Sequence, residues 1–366
     1  MVNYKEAMAL AINLARKGIG AVSPNPLVGA VILKDGNIIA TGYHHKFGKI
    51  HAEIDAINNA GDIDFSETTL VVNLEPCSHH GKQPPCVDTI IKKKFKQVVI
   101  SMLDPNPLVA GKGKKILQEA GINVTTGILE NESKWLNRAF IKHITSGLPY
   151  ISLKTAQSIN GAIATSTGDS KWISGKKSRI AVHKLRSEYD AVAVGKNTVL
   201  TDNPELTVRL VEGRNPYRIV FDTKLSVPEH YKLFSDANLN KTIIVTSVES
   251  KNSDKAKRLI EKGIGLLFVD TDENGKIILM QALQDLYSKF MIASILVEGG
   301  SILFNSFLEK GFIDEYHIFV APRVVPNGLN AFRGTFAIEQ IDNSPQFELI
   351  KSEMSGNDLH LLYVRK

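Results

Sequence analysis

Four residues in the N-terminal part of the chain have side chains that can hold a metal ion and move a proton. His51-Ala52-Glu53 is followed by Cys77 and, nine positions later, by Cys86. One imidazole and two thiolates suit Zn²⁺ and leave one coordination position open for water, as catalytic zinc sites require. Glu53 remains available for proton transfer. The spacing therefore predicts a catalytic zinc site with His51, Cys77 and Cys86 as ligands and Glu53 as the acid-base residue.

The helices that follow these ligands are expected to position them. Residues i and i+2 do not share a face of a regular helix, so we place His51 at the start of a helix over residues 52–60. Cys86 is expected to open a second helix, whose N-terminus favours an ionised thiol. The alternative is a closed structural zinc site, with a fourth ligand taken from His44, His45, His79 or His80.

The zinc pattern resembles the signature of the cytidine-deaminase superfamily, H-x-E with P-C-x-x-C. In this chain eight residues, rather than two, separate Cys77 from Cys86. The longer loop, which ends in HHGKQPPC at residues 79–86, is similar to the deaminases of the riboflavin pathway. In that chemistry zinc activates a water for attack on the amino-bearing ring carbon, and Glu53 carries a proton to the departing ammonia.

The same resemblance implies which residues hold the deaminase substrate. Asn25, in the turn PNPLVG at residues 24–29, and His44 would meet the pyrimidine ring. Lys82, Asp104 and Asn106 would meet the ribose phosphate. The alternatives are turn chemistry for Asn25, Asp104 and Asn106 and a surface position for His44.

A second pattern, in the C-terminal part, is typical of a phosphate-binding turn. Residues 294–297, SILV, predict a strand that runs into Glu298-Gly299-Gly300-Ser301, and a helix is expected over residues 302–310. Such a turn presents backbone N–H groups to a phosphate. A plain chain reversal is the alternative, because the sequence has no G-x-G-x-x-G fingerprint.

Several further segments resemble the riboflavin-pathway reductases, which have a dihydrofolate-reductase-like fold. They are KTAQS at 154–158, GDSKWIS at 168–174, HKLR at 183–186 and GKNTVLTDNPELTVR at 195–209. The resemblance implies that NADPH is held by Ala156, Trp172, Thr198, Asp202, Gly299, Gly300 and Ser301. It implies that the reductase substrate is held by Ser170, Arg186, Leu206, Arg209 and Glu298.

The chemistry of these side chains fits a phosphorylated substrate. Arg186 and Arg209 suit a phosphomonoester, because a guanidinium offers paired donors and a permanent charge. Lys154 is a candidate proton donor for the reduction. The chain departs from the family pattern in two places: Asn160 stands where Asp is common, and residues 321–326, APRVVP, differ from the usual loop. These departures bear on the fine geometry of the substrate site and not on the class of enzyme.

Length and composition predict two α/β domains. A chain of 366 residues exceeds one domain of roughly 150 residues, and 43% apolar with 22% charged residues is typical of globular proteins. The breaker cluster SGLP at 146–149 indicates a boundary between a deaminase domain over 1–147 and a reductase domain over 148–366. Strands alternate with helices in both halves, and the resemblance implies a cytidine-deaminase-like three-layer domain before the dihydrofolate-reductase-like one. A helical segment is expected near residues 131–145.

The composition also bears on location and partners. Only two cysteines are present and no apolar run approaches the roughly 18–20 residues of a membrane span, so we expect a cytoplasmic protein. The net charge of +6 suits phosphorylated small molecules as readily as nucleic acid. The lysines within residues 92–96 are interpreted as a solvated helix end.

The implied function is a bifunctional riboflavin-pathway enzyme that uses zinc and NADPH. It would deaminate a diamino-ribosylamino-pyrimidinone phosphate and then reduce the ribosyl chain of the product to a ribityl chain. Its partners are expected to be phosphorylated pyrimidines and further copies of itself, without nucleic acid or membrane. Two rivals stay open: a nucleic-acid-editing deaminase with an appended binding domain, and a zinc-stabilised regulatory protein that binds a nucleotide.

Overall fold

The computed structural model describes residues 2–78, 84–333 and 336–366. They belong to two compact units, Met1–Leu148 and Pro149–Lys366, each built on a sheet of its own. The last helix of the first unit ends at Ser146, and Gly147 follows it with a left-handed φ of 70°. A glycine in this conformation is a common helix terminator, because the residue has no Cβ to clash.

Among the described residues of the first unit, five strands form one sheet. They are β1 (Gly29–Lys34), β2 (Asn37–Tyr43), β3 (Thr68–Leu74), β4 (Gln97–Met102) and β5 (Asn123–Thr126). The order is β2-β1-β3-β4-β5, with β1 antiparallel to β2 and β3, and with β3, β4 and β5 parallel. Asp35 and Gly36 have φ angles of 49° and 72°, which suit the two-residue turn that joins β1 to β2 as a hairpin.

Six helices accompany this sheet in the described part of the unit. They are α1 (Tyr4–Ala15), α2 (Ala52–Ala60), α3 (Cys86–Lys92), α4 (Lys112–Glu119), α5 (Glu130–Leu136) and α6 (Arg138–Ser146). Helices α2, α3 and α4 bury Ile57, Ile90 and Leu117 in one core. Helices α1 and α5 bury Met8 and Leu136 in another, on the opposite face of the sheet. The predicted three-layer arrangement is therefore confirmed.

The helical segment predicted near residues 131–145 is present, but it is not one continuous helix. The chain forms α5 and α6 instead, and Asn137 lies between them with φ of −98° and ψ of 16°. The Asn137 side chain accepts from the backbone N–H of Leu27 at 2.7 Å and donates to the Leu27 carbonyl at 3.0 Å. A tertiary contact therefore breaks a helix that the local pattern favours.

In the second unit, the described residues form a nine-stranded sheet and a two-stranded one. The strands are β6 (Tyr150–Ser158), β7 (Ala162–Ala164), β8 (Ala191–Gly195), β9 (Tyr217–Phe221), β10 (Thr242–Ser247), β11 (Gly265–Val269), β12 (Ser294–Gly299), β13 (Glu315–Ala321), β14 (Leu329–Asn330), β15 (Phe347–Ser355) and β16 (Asp358–Arg365). The large sheet has the order β11-β10-β9-β8-β12-β6-β13-β16-β15, and β7 pairs with β14. The seven strands from β11 to β13 are parallel, whereas β16 and β15 are antiparallel additions at one edge.

Four of the five described helices of the second unit follow strands of its parallel sheet, and the first helix follows β7. In the described residues they are α7 (Lys176–Glu188), α8 (Lys196–Asp202), α9 (Asp254–Glu261), α10 (Leu279–Phe290) and α11 (Ser301–Glu309). Helix α8 begins directly after β8, and α11 directly after β12. Because β8 and β12 are parallel neighbours, both helix N-termini lie at the same edge of the sheet. Within the described ranges, none of the helices of either unit has the length and apolar character that a membrane span requires.

Candidate functional site

The predicted zinc ligands come together in the first unit. His51 is the N-cap of α2, Cys77 lies in the loop after β3, and Cys86 is the first residue of α3. The Nδ1 atom of His51 lies 3.5 Å from Sγ of Cys77 and 3.3 Å from Sγ of Cys86. The prediction that His51 precedes a helix and that Cys86 opens one is confirmed.

These three side chains fit zinc in both donor type and spacing. All three ligand atoms lie within 4.8 Å of one another. In a tetrahedral site with typical Zn–N and Zn–S bond lengths, a nitrogen and a sulfur ligand are about 3.5 Å apart. The two observed N–S distances match this value, so zinc would need little rearrangement of the site. Two sulfurs and one imidazole also favour zinc over the harder ions Mg²⁺ and Ca²⁺.

Glu53 is buried beside this ligand set, with 3% of its surface exposed. His51 is the N-cap of α2 and has an extended backbone, with φ of −76° and ψ of 162°. The direction of its side chain is therefore not set by helical geometry, and it can converge with the side chain of Glu53. Burial, with a smaller contribution from the charge on Cys77, raises the pKa of Glu53 to about 7. A hydrogen bond from the Cys86 thiol lowers the pKa of Cys77. The site thus contains a cysteine that ionises easily and a carboxyl group that exchanges its proton near neutral pH.

The alternative of a fourth histidine ligand finds no support in the described residues. The Nδ1 atom of His44 donates to the carbonyl of Ile50 at 2.9 Å, and Nε2 of His45 pairs with Asp55 at 2.9 Å. His79 and His80 lie outside the described residues. Among the residues that are described, the ligand group consists of His51, Cys77 and Cys86 alone.

Asn25 and His44 lie together next to the zinc ligands. The Nδ2 atom of Asn25 is 3.2 Å from Nε2 of His44, and the His44 and His51 rings are 5.6 Å apart, edge to face. Because Nδ1 of His44 donates to Ile50, its Nε2 carries the lone pair that accepts from Asn25. Burial lowers the pKa of His44, which keeps the ring neutral.

A buried residue that the sequence analysis missed holds this turn in place. Asn73, at the end of β3, accepts from the N–H of Gly29 at 2.8 Å and donates to the carbonyl of Leu27 at 2.9 Å. A Cβ at Gly29 would lie 2.1 Å from the carbonyl oxygen of Ala11, so only glycine fits there. The turn sequence pointed to Gly29, but no local signal links it to Asn73, which is 44 positions away.

Of the three residues predicted to bind the ribose phosphate, the structure describes Asp104 and Asn106. Asp104 and Asn106 follow β4, and Cys77 follows β3; the two strands are parallel neighbours that pair Leu74 with Met102. Both loops therefore lie at one edge of the sheet. Asp104 accepts from the N–H of Asn106 at 2.9 Å. Lys82 lies outside the described residues.

In the second unit, the predicted glycine turn joins β12 to α11. Gly300 is the N-cap of α11 and has a φ of 95°, and a Cβ at Gly299 would lie 3.1 Å from the Thr198 side chain. The turn therefore packs directly against the first turn of α8. This close approach and the two helix N-termini make the edge suited to a phosphate group. Thr198, Gly299, Gly300 and Ser301 are thus brought together.

Glu298, Arg186 and Lys154 form a buried charge cluster beside that turn. The Glu298 side chain is 6% exposed, and its Oε2 atom accepts from Nη2 of Arg186 at 2.8 Å and lies 3.4 Å from Nζ of Lys154. Burial opposes the ionisation of Glu298, but Arg186 and Lys154 outweigh it and lower its pKa to about 2. The guanidinium fork of Arg186 is therefore occupied by Glu298, and a phosphate would have to compete for it.

Residues 205–209 run past this cluster and are held by side chains. Arg186 donates to the carbonyl of Thr207 at 3.0 Å, and the N–H of Arg209 donates to Nδ1 of His183 at 2.9 Å. The Arg209 side chain is 47% exposed and pairs with Glu205 at 2.6 Å. Leu206 is buried and has a φ of 53°. The sequence analysis gave His183 no role, although its i, i+3 spacing from Arg186 places both on one face of α7.

The remaining predicted residues lie around the same edge. Ala156 is in β6, and the Ser170 hydroxyl bonds to Asp202, the last residue of α8. Trp172 is 64% exposed and borders a cavity of about 640 Å³, with the Arg179 guanidinium 4.6 Å from its ring. Trp172 thus presents a flat aromatic face at the surface, where sequence reasoning alone would favour the core.

The folds and sites together define the class of the protein: a zinc-binding deaminase domain followed by a nucleotide-dependent reductase domain. Two family models match these parts of the chain. The model of the cytidine and deoxycytidylate deaminase zinc-binding region matches residues 1–102, and the model of the RibD C-terminal domain matches residues 149–361.

Relatives of similar length carry both parts. The chain is 44% identical to the riboflavin biosynthesis protein RibD of Aquifex aeolicus and 35% identical to that of Escherichia coli, covering 99% and 97% of this chain and 98% of each relative. Among solved structures, it is similar to RibD of Acinetobacter baumannii at 33% identity and to a deaminase/reductase of Thermotoga maritima at 39% identity. Each has a TM-score of 0.88 and a coverage of 99% for both chains.

The chain therefore belongs to the RibD family, the bifunctional deaminase/reductase enzymes of riboflavin biosynthesis. Zinc is the cofactor of its deaminase domain and NADPH that of its reductase domain. The predicted fold classes, a cytidine-deaminase domain and a reductase domain, are confirmed.

Proposed function

We propose that the chain catalyses two consecutive steps on one phosphorylated pyrimidine. The deaminase site converts a diamino-ribosylamino-pyrimidinone phosphate to the corresponding uracil, and the reductase site reduces the ribosyl chain of that product to a ribityl chain. The observation that carries the proposal is the cluster of His51, Cys77 and Cys86 around a buried Glu53. The Thermotoga maritima relative is described as a diaminohydroxyphosphoribosylaminopyrimidine deaminase and a 5-amino-6-(5-phosphoribosylamino)uracil reductase. We assign the deaminase to residues 1–147 and the reductase to residues 148–366.

In the deaminase, the residues of the chain bind the ring and move the proton. Zinc, held by His51, Cys77 and Cys86, supplies an activated water. Glu53 takes a proton from that water and delivers it to the amino group that leaves as ammonia. Asn25 and the neutral His44, which already pair with each other, are suited to the edge of a pyrimidine ring because together they offer donors and acceptors. Lys82, Asp104 and Asn106 are proposed for the ribose phosphate.

In the reductase, the edge formed by β8 and β12 is proposed for NADPH. The residues assigned to the cofactor are Ala156, Trp172, Thr198, Asp202, Gly299, Gly300 and Ser301. NADPH held at this edge would supply the hydride that reduces the anomeric carbon of the ribosyl chain, and the ring oxygen released from that carbon needs a proton. Lys154 is proposed to protonate that oxygen, because its amino group can donate a proton and lies beside the glycine turn, 3.4 Å from Oε2 of Glu298.

The two predicted substrate arginines are proposed to act differently. Arg209 is largely exposed and its partner Glu205 is at the surface, so a phosphate can replace this weak pair. Arg186 is buried with Glu298, and exchange of that pair would leave the buried carboxylate with only the longer contact to Lys154 among the described residues. We therefore assign the phosphate to Arg209, while Arg186 orients Glu298 toward the substrate. Ser170 and Leu206 are proposed to border the pyrimidine.

NADPH oxidation tests this function. The zinc-loaded protein should consume NADPH, followed by absorbance, when given the diamino-pyrimidinone ribosyl phosphate. Glu53→Gln should be at least a hundredfold slower, because removal of a general acid-base costs roughly 10²- to 10⁴-fold. Supplying the predeaminated substrate should restore its rate to that of the wild type. If neither protein consumes NADPH with either substrate, the reductase assignment is wrong.

We also propose that the chain forms a homo-oligomer through β15. This strand is the edge of the large sheet, is nine residues long and exposes Leu349, Ile350 and Met354 to 49%, 45% and 68%. A long apolar edge strand is a template for pairing with another chain. Leu349→Lys with Met354→Lys should lower the mass measured by light scattering; an unchanged mass would place the interface elsewhere.

The location proposed for the protein is the reducing cytoplasm. Cys77 and Cys86 must stay as free thiols to bind zinc, and their sulfur atoms lie close enough to His51 for all three to reach one ion. An oxidising compartment would favour a bond between the two sulfurs, which would destroy the ligand set.

A further inference from the structure

We propose that Glu75 is a positioning residue for deamination, which closes the loop of residues 104–111 and holds it against the zinc-binding segment. The inference rests on the proposed function, because that loop carries Asp104 and Asn106, the residues assigned to the ribose phosphate. Glu75 is not a zinc ligand, and its side chain is turned toward the loop rather than toward His51.

Within the described part of the chain, the hydrogen bonds of the Glu75 side chain are all with backbone N–H groups. Its side chain is buried, with 5% of the residue exposed. The Oε2 atom accepts from the N–H of Asp104 at 3.0 Å and from that of Gly111 at 2.9 Å. The Oε1 atom accepts from the N–H of Lys114 at 2.9 Å, in the first turn of α4.

One carboxylate oxygen therefore joins the two ends of the loop. Asp104 is its first residue and Gly111, the N-cap of α4, its last. Between them, Asn106 accepts from the N–H of Leu108 at 3.0 Å, and its carbonyl accepts from the N–H of Ala110 at 2.9 Å. The interior of the loop is thus held by local turns, whereas its closure and its place on the protein depend on Glu75.

The same segment of chain links the loop to the metal site. Glu75 is two residues before Cys77, and its own N–H donates to the carbonyl of Met102 at 3.0 Å, which extends the pairing of β3 with β4. A Cβ at Gly113 would lie 2.4 Å from the carbonyl oxygen of Pro76, so α4 packs directly on this segment. The distance between zinc and the phosphate end of the substrate is therefore set through Glu75.

A carboxylate suits this position because both side-chain oxygens must accept hydrogen bonds from backbone N–H groups. A glutamine has the same shape but only one accepting oxygen, and its NH₂ group would face an N–H donor. In Glu75→Gln either the loop closure or the bond to Lys114 must fail. The loss of a hydrogen bond to a charged acceptor corresponds to roughly a 10- to 100-fold change in an equilibrium.

The test compares full-length wild type, Glu75→Gln and a control, Glu119→Gln, which removes one negative charge from the exposed side of α4. We expect the KM of deamination to rise about 10- to 100-fold in Glu75→Gln, with kcat within about threefold of the wild type. Zinc should stay at one ion per chain, and the reduction of predeaminated substrate should not change. Glu119→Gln should match the wild type in every assay.

A double-mutant cycle with Asn106→Ala shows whether Glu75 acts through the loop. If it does, the KM of the double variant rises by much less than the product of the two single effects, because either substitution alone already removes the contribution of the loop to substrate binding. Multiplicative effects, an unchanged KM, or a loss of zinc or of kcat without a change in KM would each overturn the proposal.

Hydrogen exchange separates this inference from the proposed function. In Glu75→Gln at least one side of this contact, either the amides of Asp104 and Gly111 or the amide of Lys114, should exchange at least tenfold faster than in the wild type, even if the wild type does not deaminate the pyrimidine. Inactivity of the wild type would reject the proposed function alone. Unchanged exchange at all three amides would reject the role of Glu75.

Discussion

Two buried glutamates, Glu53 and Glu298, have opposite protonation behaviour. Burial raises the pKa of Glu53 to about 7, and the nearby Cys77 adds to this effect. Burial acts on Glu298 in the same sense, but Arg186 and Lys154 lower its pKa to about 2. Neighbouring charges thus decide which carboxyl can exchange a proton near neutral pH and which stays an anion. The difference matches the proposed roles, proton transfer for Glu53 and charge for Glu298.

The two departures from the family pattern are in contact with each other. Oδ1 of Asn160 accepts from the N–H of Val325 at 3.0 Å, and its Nδ2 donates to the carbonyl of Val325 at 3.0 Å. An aspartate could accept the first bond but could not donate the second. The unusual loop and the unusual asparagine therefore fit as a pair.

Asn160→Asp should lower the free energy of unfolding by about 0.5–1.5 kcal/mol, because one hydrogen bond is lost and a carboxylate then faces a carbonyl oxygen. Urea denaturation measures the change. Asn274→Asp, which adds the same charge at an exposed turn of the same unit, serves as the control. Equal effects of the two substitutions would show that the contact with Val325 contributes nothing.

At the scale of elements, α7 fixes a segment that has no strand or helix of its own. His183 and Arg186 hold Arg209 and Thr207 by their backbone groups, and Arg218 donates to the carbonyl of Glu205 at 3.2 Å. Burial, together with Arg186, lowers the pKa of His183 to about 4, so its Nδ1 stays free of a proton and can accept. The segment that carries Arg209 is therefore positioned by side chains.

His183→Leu should raise the KM of the reductase for its pyrimidine substrate about tenfold, because the N–H of Arg209 loses its acceptor. His183→Asn, whose amide oxygen can take the place of Nδ1, should restore most of the loss. Steady-state kinetics with predeaminated substrate provide the measurement. The KM for NADPH and the deaminase rate serve as controls, and a change in all three would indicate a general loss of structure instead.

The ion pair between Glu298 and Arg186 joins β12 to α7. It predicts that the stability of the second unit depends on pH. Its folded-state pKa of about 2 lies below the reference value of 4.5, so its contribution to stability is complete above pH 4.5 and disappears as the pH falls through 2. The shift corresponds to roughly 3 kcal/mol. Glu298→Gln should therefore destabilise the second unit at pH 7, and much less at pH 2.

Hydrogen exchange of β12 amides, corrected for intrinsic rates, measures this difference in the full chain. If the difference in exchange rate between Glu298→Gln and the wild type stays constant down to pH 2, the effect does not come from the charge of Glu298.

At the scale of the whole molecule, the chain carries two units with separate sheets and separate sites. The zinc ligands and Glu53 all lie within Met1–Leu148, and Lys154, Arg186 and Glu298 all lie within Pro149–Lys366. Among the described residues, neither cluster takes a ligand or charge partner from the other unit. Each site is therefore expected to work when the other is inactive.

A mixture of Glu53→Gln with Lys154→Ala should carry out the overall reaction, although neither variant does so alone. The intermediate made by the second variant can diffuse to the reductase site of the first. The rate of NADPH oxidation after mixing, measured against protein concentration, checks this expectation. No recovery in the mixture would show that the intermediate does not leave the chain on which it forms.

The features that depend on local chemistry were predictable from the residues and their spacing. His51, Glu53, Cys77 and Cys86 were predictable because zinc requires particular donors, and the chain has only two cysteines to supply them. The starts of α2 and α3, the hairpin at Asp35-Gly36 and the glycine turn before α11 were predictable because glycine, caps and alternating patterns act within a few residues.

Contacts between residues that are far apart in the chain became known from the folded protein. Asn137 divides the predicted helical segment because it bonds to Leu27, which lies 110 positions away. Arg186, expected to face a phosphate, is instead paired with Glu298, 112 positions away. Glu75 and His183 hold backbone groups of loops that no local pattern connects to them. Such contacts depend on the packing of elements that are far apart in the chain, and spacing within the sequence does not encode them directly.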